Sequence, residues 1–300
     1  MTTQNDGPSW RGSTRIKSAL GCLWKHQLDY YIGKKRKSSI ETYGAPSLDS
    51  DLNFGIAIHN ECLALYDSPS IARVGVDDNA LQAIRDEYRR TWQDELTKAV
   101  TVELTLQATL RDCGWTRGTT ITGMQVDPDE VVTAKADLLV DLTDLDLARA
   151  ALLAPGHWMI DLKTENVSWK TGKLYDWVAD GKHAFSIQSM LYPLVYRANG
   201  YRVDGFSIRR VGRQPPFPCN ETWAIDNPQP IWNEFPELLA EAVGRDNHVR
   251  DMTAKGVILP RTGILHGECT SFKGPWCAHY DVCKSDSIAT RKSRLRTLYT

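Results

Sequence analysis

The chain has 300 residues, of which 42% are hydrophobic and 24% are charged, and its net charge is -1 at pH 7. This length is sufficient for the core of one large or two small globular domains, and the balanced charge gives no global sign of a nucleic-acid-binding protein. No segment has the length of a membrane span and the N-terminus has no apolar signal core, so we expect no membrane association. The seven cysteines are an odd number with no secretory signal before them. They favour metal ligation or burial in a reducing cytoplasm over a disulfide framework.

The first third of the chain has the hydrophobic spacing of helices. Residues 13–33 and 51–67 carry apolar side chains three or four positions apart, which predicts one helix in each segment. Residues 77–110 are expected to be helical throughout, as one long helix or two. The side chains expected on the buried side of this segment are Leu81, Ile84, Tyr88 and Trp92.

The pattern then changes to that of strands. Residues 119–126 and 131–142 are rich in β-forming residues and flank an Asp-Pro-Asp-Glu turn, which predicts a hairpin. Further strands are predicted at 158–163, 203–211 and 221–225, and helices at 181–199 and 230–251. This order predicts an α/β fold with a mixed central sheet flanked by helices.

Two predicted strands carry aspartates inside apolar runs. Asp137 and Asp161 stand among Ile, Leu and Val residues, where a charge is costly unless it is paired or binds a metal. Lys163 follows Asp161 by two positions, so the two side chains project from the same face of the strand. Carboxylates that hold Mg²⁺ or Mn²⁺ beside a lysine suit metal-assisted hydrolysis. Taken alone, Asp-x-Lys also fits a salt-bridged strand end.

Two helical motifs accompany these strands in chain order. Gly55-x-x-x-His59 places a histidine on an apolar helix, where such a residue is also compatible with simple core packing. Gln188 and Tyr192 share one face of the helix after the Asp-x-Lys strand, because they are four residues apart. An amphipathic helix with a buried tyrosine would give the same spacing.

Taken together in this order, the four motifs resemble the PD-(D/E)xK nucleases of RecB type, which implies a restriction-endonuclease-like fold. The resemblance covers residues 13–283 as a single nuclease domain, between a disordered N-terminus at 1–12 and a basic tail at 284–300. It implies that His59, Asp137 and Asp161 bind Mg²⁺ or Mn²⁺ and that Lys163 is the catalytic lysine. Gln188 and Tyr192 would complete the catalytic site. Asp161 stands where many relatives carry glutamate.

Four cysteines have a separate arrangement, with Cys22 near the start and Cys269, Cys277 and Cys283 near the end. This pattern resembles the iron–sulfur nucleases of the AddB subunit and of CRISPR adaptation, which implies a [4Fe–4S] cluster that joins the first helix to the C-terminal tail. The seven residues between Cys269 and Cys277 exceed the two that are usual there. A structural Zn²⁺ held by the three late cysteines with a nearby histidine, or thiols without metal, are the alternatives.

The resemblance implies a metal-dependent DNA exonuclease acting on single strands or duplex ends in a prokaryotic or phage-infected cytoplasm. Its setting would be recombination, repair or CRISPR-type adaptation, and the partner that it implies is a second copy of the chain or a recombination or adaptation protein. The basic run Lys34, Lys35, Arg36 and Lys37 is a candidate DNA contact, although a solvated surface would also explain it. A non-catalytic DNA-binding protein on the same fold and a restriction-type endonuclease are the other functions that the sequence leaves open.

Overall fold

The structure is a computed structural model, and its contacts divide the chain into two compact units. The described residues are 11–32, 51–66, 79–168, 170–174, 186–226, 229–259, 270–271 and 274–275. The terminal unit comprises Met1–Thr42, Thr109–Val132 and Glu234–Thr300, and the sheet unit comprises Tyr43–Ala108 and Thr133–Asn233. The extent of a single nuclease domain stays a prediction, and the basic tail at 284–300 lies outside the described residues.

A mixed five-stranded sheet forms the centre of the sheet unit, in the order β1-β4-β5-β6-β7. The first seven strands among the described residues are β1 (Ala99–Val102), β2 (Thr105–Thr109), β3 (Val131–Lys135), β4 (Leu138–Leu142), β5 (Gly156–Glu165), β6 (Gly205–Gly212) and β7 (Cys219–Asp226). Strands β5 and β6 are parallel, whereas the other neighbours in this sheet are antiparallel. Strands β2 and β3 form a separate two-stranded sheet, as do β8 (Thr270–Ser271) and β9 (Gly274–Pro275).

Helices account for most of the remaining described residues, so the predicted α/β class is confirmed. They are α1 (Ser13–Leu20), α2 (Leu23–Gln27), α3 (Asp51–Ala64), α4 (Asn79–Trp92), α5 (Leu145–Ala150), α6 (Ile187–Ala198) and α7 (Gln229–Ala254). Helix α6 lies in the crossover between the parallel strands β5 and β6, which cannot be joined by a tight turn. Within the described ranges, no helix combines the length and apolar character needed to cross a bilayer.

The core of the sheet unit is an apolar cluster to which α3, α4 and the sheet contribute. The four residues predicted to face inward from α4, Leu81, Ile84, Tyr88 and Trp92, are all buried. They share this cluster with Trp158 and Ile160 of β5, among others. Their spacing of three or four residues therefore gave the correct inner face of the helix.

Two predicted helices differ from the observed elements, one near the start of the chain and the other after α4. The segment 13–33 is two helices, because Gly21 leaves the helical conformation (ψ -130°), and it continues from α2 as a π-helix over Leu28–Ile32. The helix predicted through residue 110 ends at Trp92 and is followed by a short 3₁₀ turn, Gln93–Glu95. The residues beyond it form β1 and β2 instead. Valines and threonines dominate that stretch, and β-branched side chains favour strands over helices.

The hairpin predicted for 119–126 and 131–142 is also wrong. Thr119 and Gln125 make only an isolated bridge with each other. The second segment is two strands, β3 and β4, which join different sheets. β3 pairs with β2, and β4 lies between β1 and β5. The break falls at Ala136-Asp137, and it removes Asp137 from the regular strand in which it was predicted.

A buried network of charged groups fastens the first helices of the terminal unit to α7. The Asp246 carboxylate accepts hydrogen bonds from Arg11 Nε (3.0 Å), Arg15 Nε (3.0 Å) and Tyr31 OH (2.7 Å), and it lies 2.8 Å from His26 Nε2. We call these five residues the Asp246 hub. Arg11 belongs to the segment predicted to be disordered, yet it is buried here; residues 1–10 lie outside the described part.

Candidate active site

His59 reaches the sheet because α3 lies close to β5. Gly55 stands one turn before His59, and a Cβ atom at Gly55 would be 2.9 Å from Thr164 Oγ1 of β5. A larger residue would therefore push the helix away from the strand. His59 Nε2 lies 3.2 Å from Asp137 Oδ2, and the imidazole is partly exposed. The predicted Gly-x-x-x-His motif thus brings its histidine to an acidic site rather than into the apolar core.

Asp137 occupies the break between β3 and β4 and is fixed through both its backbone and its side chain. Its carbonyl oxygen accepts a hydrogen bond from the Glu103 backbone N–H (2.9 Å). Its carboxylate accepts one from the Leu162 backbone N–H (2.7 Å), on the neighbouring strand β5. The carboxylate is therefore held between β5 and His59.

Glu103 is a member of this site that the sequence analysis missed. It lies between β1 and β2 with a positive φ of 48°, an uncommon conformation for a residue with a side chain. Its Oε1 atom is 3.9 Å from His59 Nδ1 and 3.0 Å from Lys135 Nζ. The alternation of Val100, Val102 and the following residues was the available signal for a strand ending at an acidic residue. The helix predicted there concealed it.

Asp161 and Lys163 lie side by side on β5, as the two-residue spacing predicted. Lys163 Nζ is 2.6 Å from Asp161 Oδ2. Asp161 is only 3% exposed as a residue, whereas about a third of the Lys163 side chain (32%) is open to solvent. The carboxylate is thus buried behind an ammonium group that a ligand can approach.

Gln188 and Tyr192 extend the site from α6. Lys163 Nζ donates to Gln188 Oε1 (3.3 Å), and Gln188 Nε2 donates to Tyr192 OH (3.3 Å). The start of this helix is fixed by Ser186, whose side chain accepts from the Ser189 backbone N–H. The predicted shared face of Gln188 and Tyr192 is confirmed, and it is turned toward Lys163.

Burial and charge pairing act in opposite directions on the acidic groups. Burial raises the pKa of Asp161 to about 6, although the positive charge of Lys163 opposes the shift. Burial would also raise the pKa of Asp137, but the hydrogen bond and charge of His59 outweigh it and hold this pKa below its usual value.

The pKa values of the two cationic partners, His59 and Lys163, are both raised. Burial alone would lower the pKa of His59 and that of Lys163, yet the pKa of each is raised because His59 faces Asp137 and Lys163 faces Asp161. Without a metal ion the site therefore favours a charged imidazole. A cation that took His59 as a ligand would displace its proton.

Among the described residues, one group of side chains has the geometry to hold a metal ion. One ligand atom from each of His59, Glu103 and Asp137 can lie within 4.8 Å of the other two. Imidazole and carboxylate donors suit Mn²⁺ and Mg²⁺. Asp161, the third predicted ligand, is not part of this group, and its carboxylate contacts Lys163. Its role as a ligand stays a prediction.

Of the remaining predicted site residues, the structure describes Cys22 alone. Cys22 is buried at the N-terminal end of α2, in a small cluster with Trp24 and Leu28. Its proposed partners Cys269, Cys277 and Cys283 lie outside the described residues, as do Lys34, Lys35, Arg36 and Lys37. The cysteine cluster and the basic run therefore stay predictions.

Side chains from α3, the β1–β2 connection, the β3–β4 break, β5 and α6 thus meet at one place in the sheet unit. The arrangement offers ligands for a cation, an ammonium group beside them and a hydrogen-bonded amide. Comparison of the chain with protein-family models gives no match, and comparison with curated proteins gives no significant one.

Proposed function

We propose that this chain is a metal-dependent deoxyribonuclease that hydrolyses phosphodiester bonds from strand ends. The observation that carries the proposal is the distance of 2.6 Å between Lys163 Nζ and Asp161 Oδ2, at a site where His59, Glu103 and Asp137 offer ligands to a cation. An isolated Asp-x-Lys occurs by chance in many proteins; here the pair lies in the same site as an imidazole and two further carboxylates. The proposal includes the fold that the resemblance implies, in which the mixed sheet has a restriction-endonuclease-like arrangement.

The cation would be held by His59, Glu103 and Asp137, with Asp161 as the further acidic ligand that the family resemblance implies. Mg²⁺ or Mn²⁺ supplies an acidified water and polarises the phosphate when it is bound. Each cut adds one water across the bond: hydroxide goes to phosphorus, the bond from phosphorus to the leaving oxygen breaks, and that oxygen takes up a proton.

Lys163 has the position to stabilise the charge that develops on the phosphate. Its ammonium group is partly open to solvent, and its pKa lies above the usual value, so it remains charged at neutral pH. Gln188 orients this group through its carbonyl oxygen, and Tyr192 orients Gln188. A fixed positive charge needs no reorganisation as the transition state forms, which is the main electrostatic advantage of such a site.

A [4Fe–4S] cluster held by Cys22, Cys269, Cys277 and Cys283 is the second part of the proposal. Thiolates are the ligands that such clusters prefer, and a cluster with this ligand set would tie α2 to the C-terminal region. Cys22 is buried at the N-terminal end of α2, where its thiol would hold this helix to the cluster. Structural Zn²⁺ on the late cysteines is the alternative, and the metal content of purified protein distinguishes the two.

The test compares linear single strands, linear duplexes and closed circular DNA with Mg²⁺ or Mn²⁺. We expect linear DNA to be degraded and circles to be spared, and a chelator to stop the reaction. Cleavage of closed circles would assign a restriction-type endonuclease instead. DNA that is bound but stays intact with either ion would assign a non-catalytic binding protein.

A further inference from the structure

We propose that two turns beside the candidate active site form a phosphate-binding platform that holds the nucleic-acid strand as it enters the site. The inference rests on the proposed function, because it names where the substrate of that site is held. We call the surface the basic platform. It consists of residues 166–168, 170–174 and 212–218.

Both turns start from the same edge of the sheet as the catalytic lysine. β5 and β6 are parallel, with Lys163 opposite Arg210 and Glu165 opposite Gly212. Their carboxyl ends therefore reach one edge together, and the two turns continue from those ends. In parallel sheets this edge is where ligands usually bind.

The described residues of the platform carry positive charge without any acidic side chain. Lys170 and Lys173 are exposed and Arg213 is partly exposed. Glu165, the acidic residue at the end of β5, is buried and paired with Arg210. The chain as a whole has a net charge of -1, so this concentration of cations is local. Such a surface suits a polyanion such as a phosphate backbone.

Hydrogen bonds between the turns fix the platform before any ligand binds. The side chain of Asn166 accepts from Arg213 Nη2 (2.7 Å) and from Gln214 Nε2 (2.9 Å). Gln214 Oε1 in turn accepts from the Val167 backbone N–H (2.7 Å). The Arg213 backbone N–H donates to the carbonyl oxygen of Glu165 (2.8 Å), at the end of β5. The second turn is therefore joined to the first at several points.

The lysine-bearing turn is also closed on itself. The Ser168 N–H donates to the Lys173 carbonyl oxygen (2.8 Å), and the Gly172 N–H donates to the Ser168 carbonyl oxygen (2.8 Å). Gly172 has a φ of 65°, which suits glycine, and a Cβ atom there would lie 3.5 Å from Pro216 of the other turn. The backbone beneath Lys170 and Lys173 is thus ordered, which reduces the entropy lost when these lysines bind a phosphate.

The position of the platform sets which part of the strand it contacts. Ser168 follows Lys163 by five residues, so an extended backbone would separate them by at most ~17 Å at about 3.3 Å per residue. At about 3.4 Å per nucleotide of a stacked strand this corresponds to roughly five nucleotides. The platform should therefore contact phosphates within about five nucleotides of the bond that is cut.

The test measures DNA affinity against salt concentration in the presence of EDTA, which prevents cleavage. The variant is Lys170→Ala with Lys173→Ala, two exposed side chains whose loss leaves the hydrogen bonds of Asn166 and Gln214 in place. The control, Arg90→Ala with Arg149→Ala, removes the same charge from exposed positions on α4 and α5.

The logarithm of the DNA-binding constant decreases linearly with log[salt], so its slope is negative. We expect the magnitude of this slope to be smaller by about 1.8 for duplex DNA or about 1.4 for single strands in the lysine variant, and to stay unchanged in the control. Between 50 and 200 mM salt, the wild-type protein should lose roughly 7- to 12-fold more affinity than the lysine variant. The KM of cleavage should rise while kcat stays the same.

The outcomes separate the platform from the proposed function. A wild-type protein that cuts DNA, with a lysine variant whose slope matches the control, would overturn the platform and leave the nuclease proposal intact. A protein that does not cut but loses DNA affinity in the lysine variant would retain the platform and overturn the cleavage function. A protein that neither binds nor cuts DNA would overturn both.

Discussion

Replacing the carboxylate of the Asp246 hub should destabilise the protein more than replacing any exposed charged side chain of the same helix. The Asp246→Asn variant keeps the size of the side chain but removes its negative charge and turns one acceptor into a donor. Asp246 is 1% exposed, and its carboxylate receives the guanidinium groups of Arg11 and Arg15 at 3.0 Å. Both arginines are themselves buried, so they would lose a counter-charge in a place where water cannot substitute for it.

The expected loss in the free energy of unfolding is about 3–5 kcal/mol, the range for removing one partner of a buried ion pair. Tyr31→Phe is a milder change at the same hub, because it removes a hydrogen bond of 2.7 Å to Asp246 and leaves the charges in place. We expect a loss of roughly 1.5–3 kcal/mol for it, as for other hydrogen bonds to charged groups. It keeps the prediction testable should the Asp246 variant fail to fold.

The control is Asp251→Asn on the same helix. Asp251 is exposed and its carboxylate lies 3.3 Å from Arg250 Nε, so its replacement should cost less than about 1 kcal/mol. Urea unfolding of the full chain, followed by fluorescence and circular dichroism, compares the variants. Losses below 1 kcal/mol for both Asp246→Asn and Tyr31→Phe would refute the stabilising role of the hub.

The same hub predicts a direction for the pH dependence of stability. Burial would raise the pKa of Asp246, but the hydrogen bond from His26 and the charges of Arg15 and Arg11 hold it well below its usual range. A depressed pKa contributes stability that is complete above the unfolded-state value of about 3.9 and is lost as the pH falls toward the folded-state value. The difference between wild type and Asp246→Asn should therefore be full at pH 7 and shrink below about pH 4.

Three further predictions concern the proposed sites. Glu103→Gln should weaken Mn²⁺ binding by at least about tenfold, whereas Lys135→Met should tighten it, because Lys135 competes with the ion for Glu103; isothermal titration measures both. Lys163→Met should reduce DNA cleavage by roughly 10²–10³-fold while DNA affinity persists, and near-normal turnover would exclude the proposed role of this lysine. Cys22→Ala should lose as much iron as Cys283→Ala if the cluster joins the two regions, whereas normal iron in the Cys22 variant would refute that arrangement.

The sequence was sufficient for the features that depend on local spacing. Asp161 and Lys163 share a face because side chains alternate along a strand, and Gln188 and Tyr192 share one because they are a turn apart on a helix. The observed distances of 2.6 Å and 3.3 Å within these two pairs agree with that reasoning. The buried face of α4 was predictable for the same reason.

Only the tertiary structure decided how these local features combine. The neighbours of β4, the separation of β3 from β4 and the position of Glu103 next to His59 depend on strand pairings between distant segments. Strand pairing leaves little trace in a single sequence, because many registers satisfy the same alternation. A short β-branched segment can moreover be mistaken for the continuation of a helix, as it was after Trp92.

The Asp246 hub gives the same lesson for charged residues. Arg11 and Asp246 are separated by 235 positions. Arginine and aspartate are both residue types that usually lie at the protein surface, so the sequence does not indicate that these two are buried. Their burial follows from the packing of the first helices on α7, which brings several hydrogen-bond donors to one carboxylate. Sequence determined which side chains could act in pairs within an element; the fold determined which elements meet, because the free energy of a buried charge depends on partners that only long-range packing supplies.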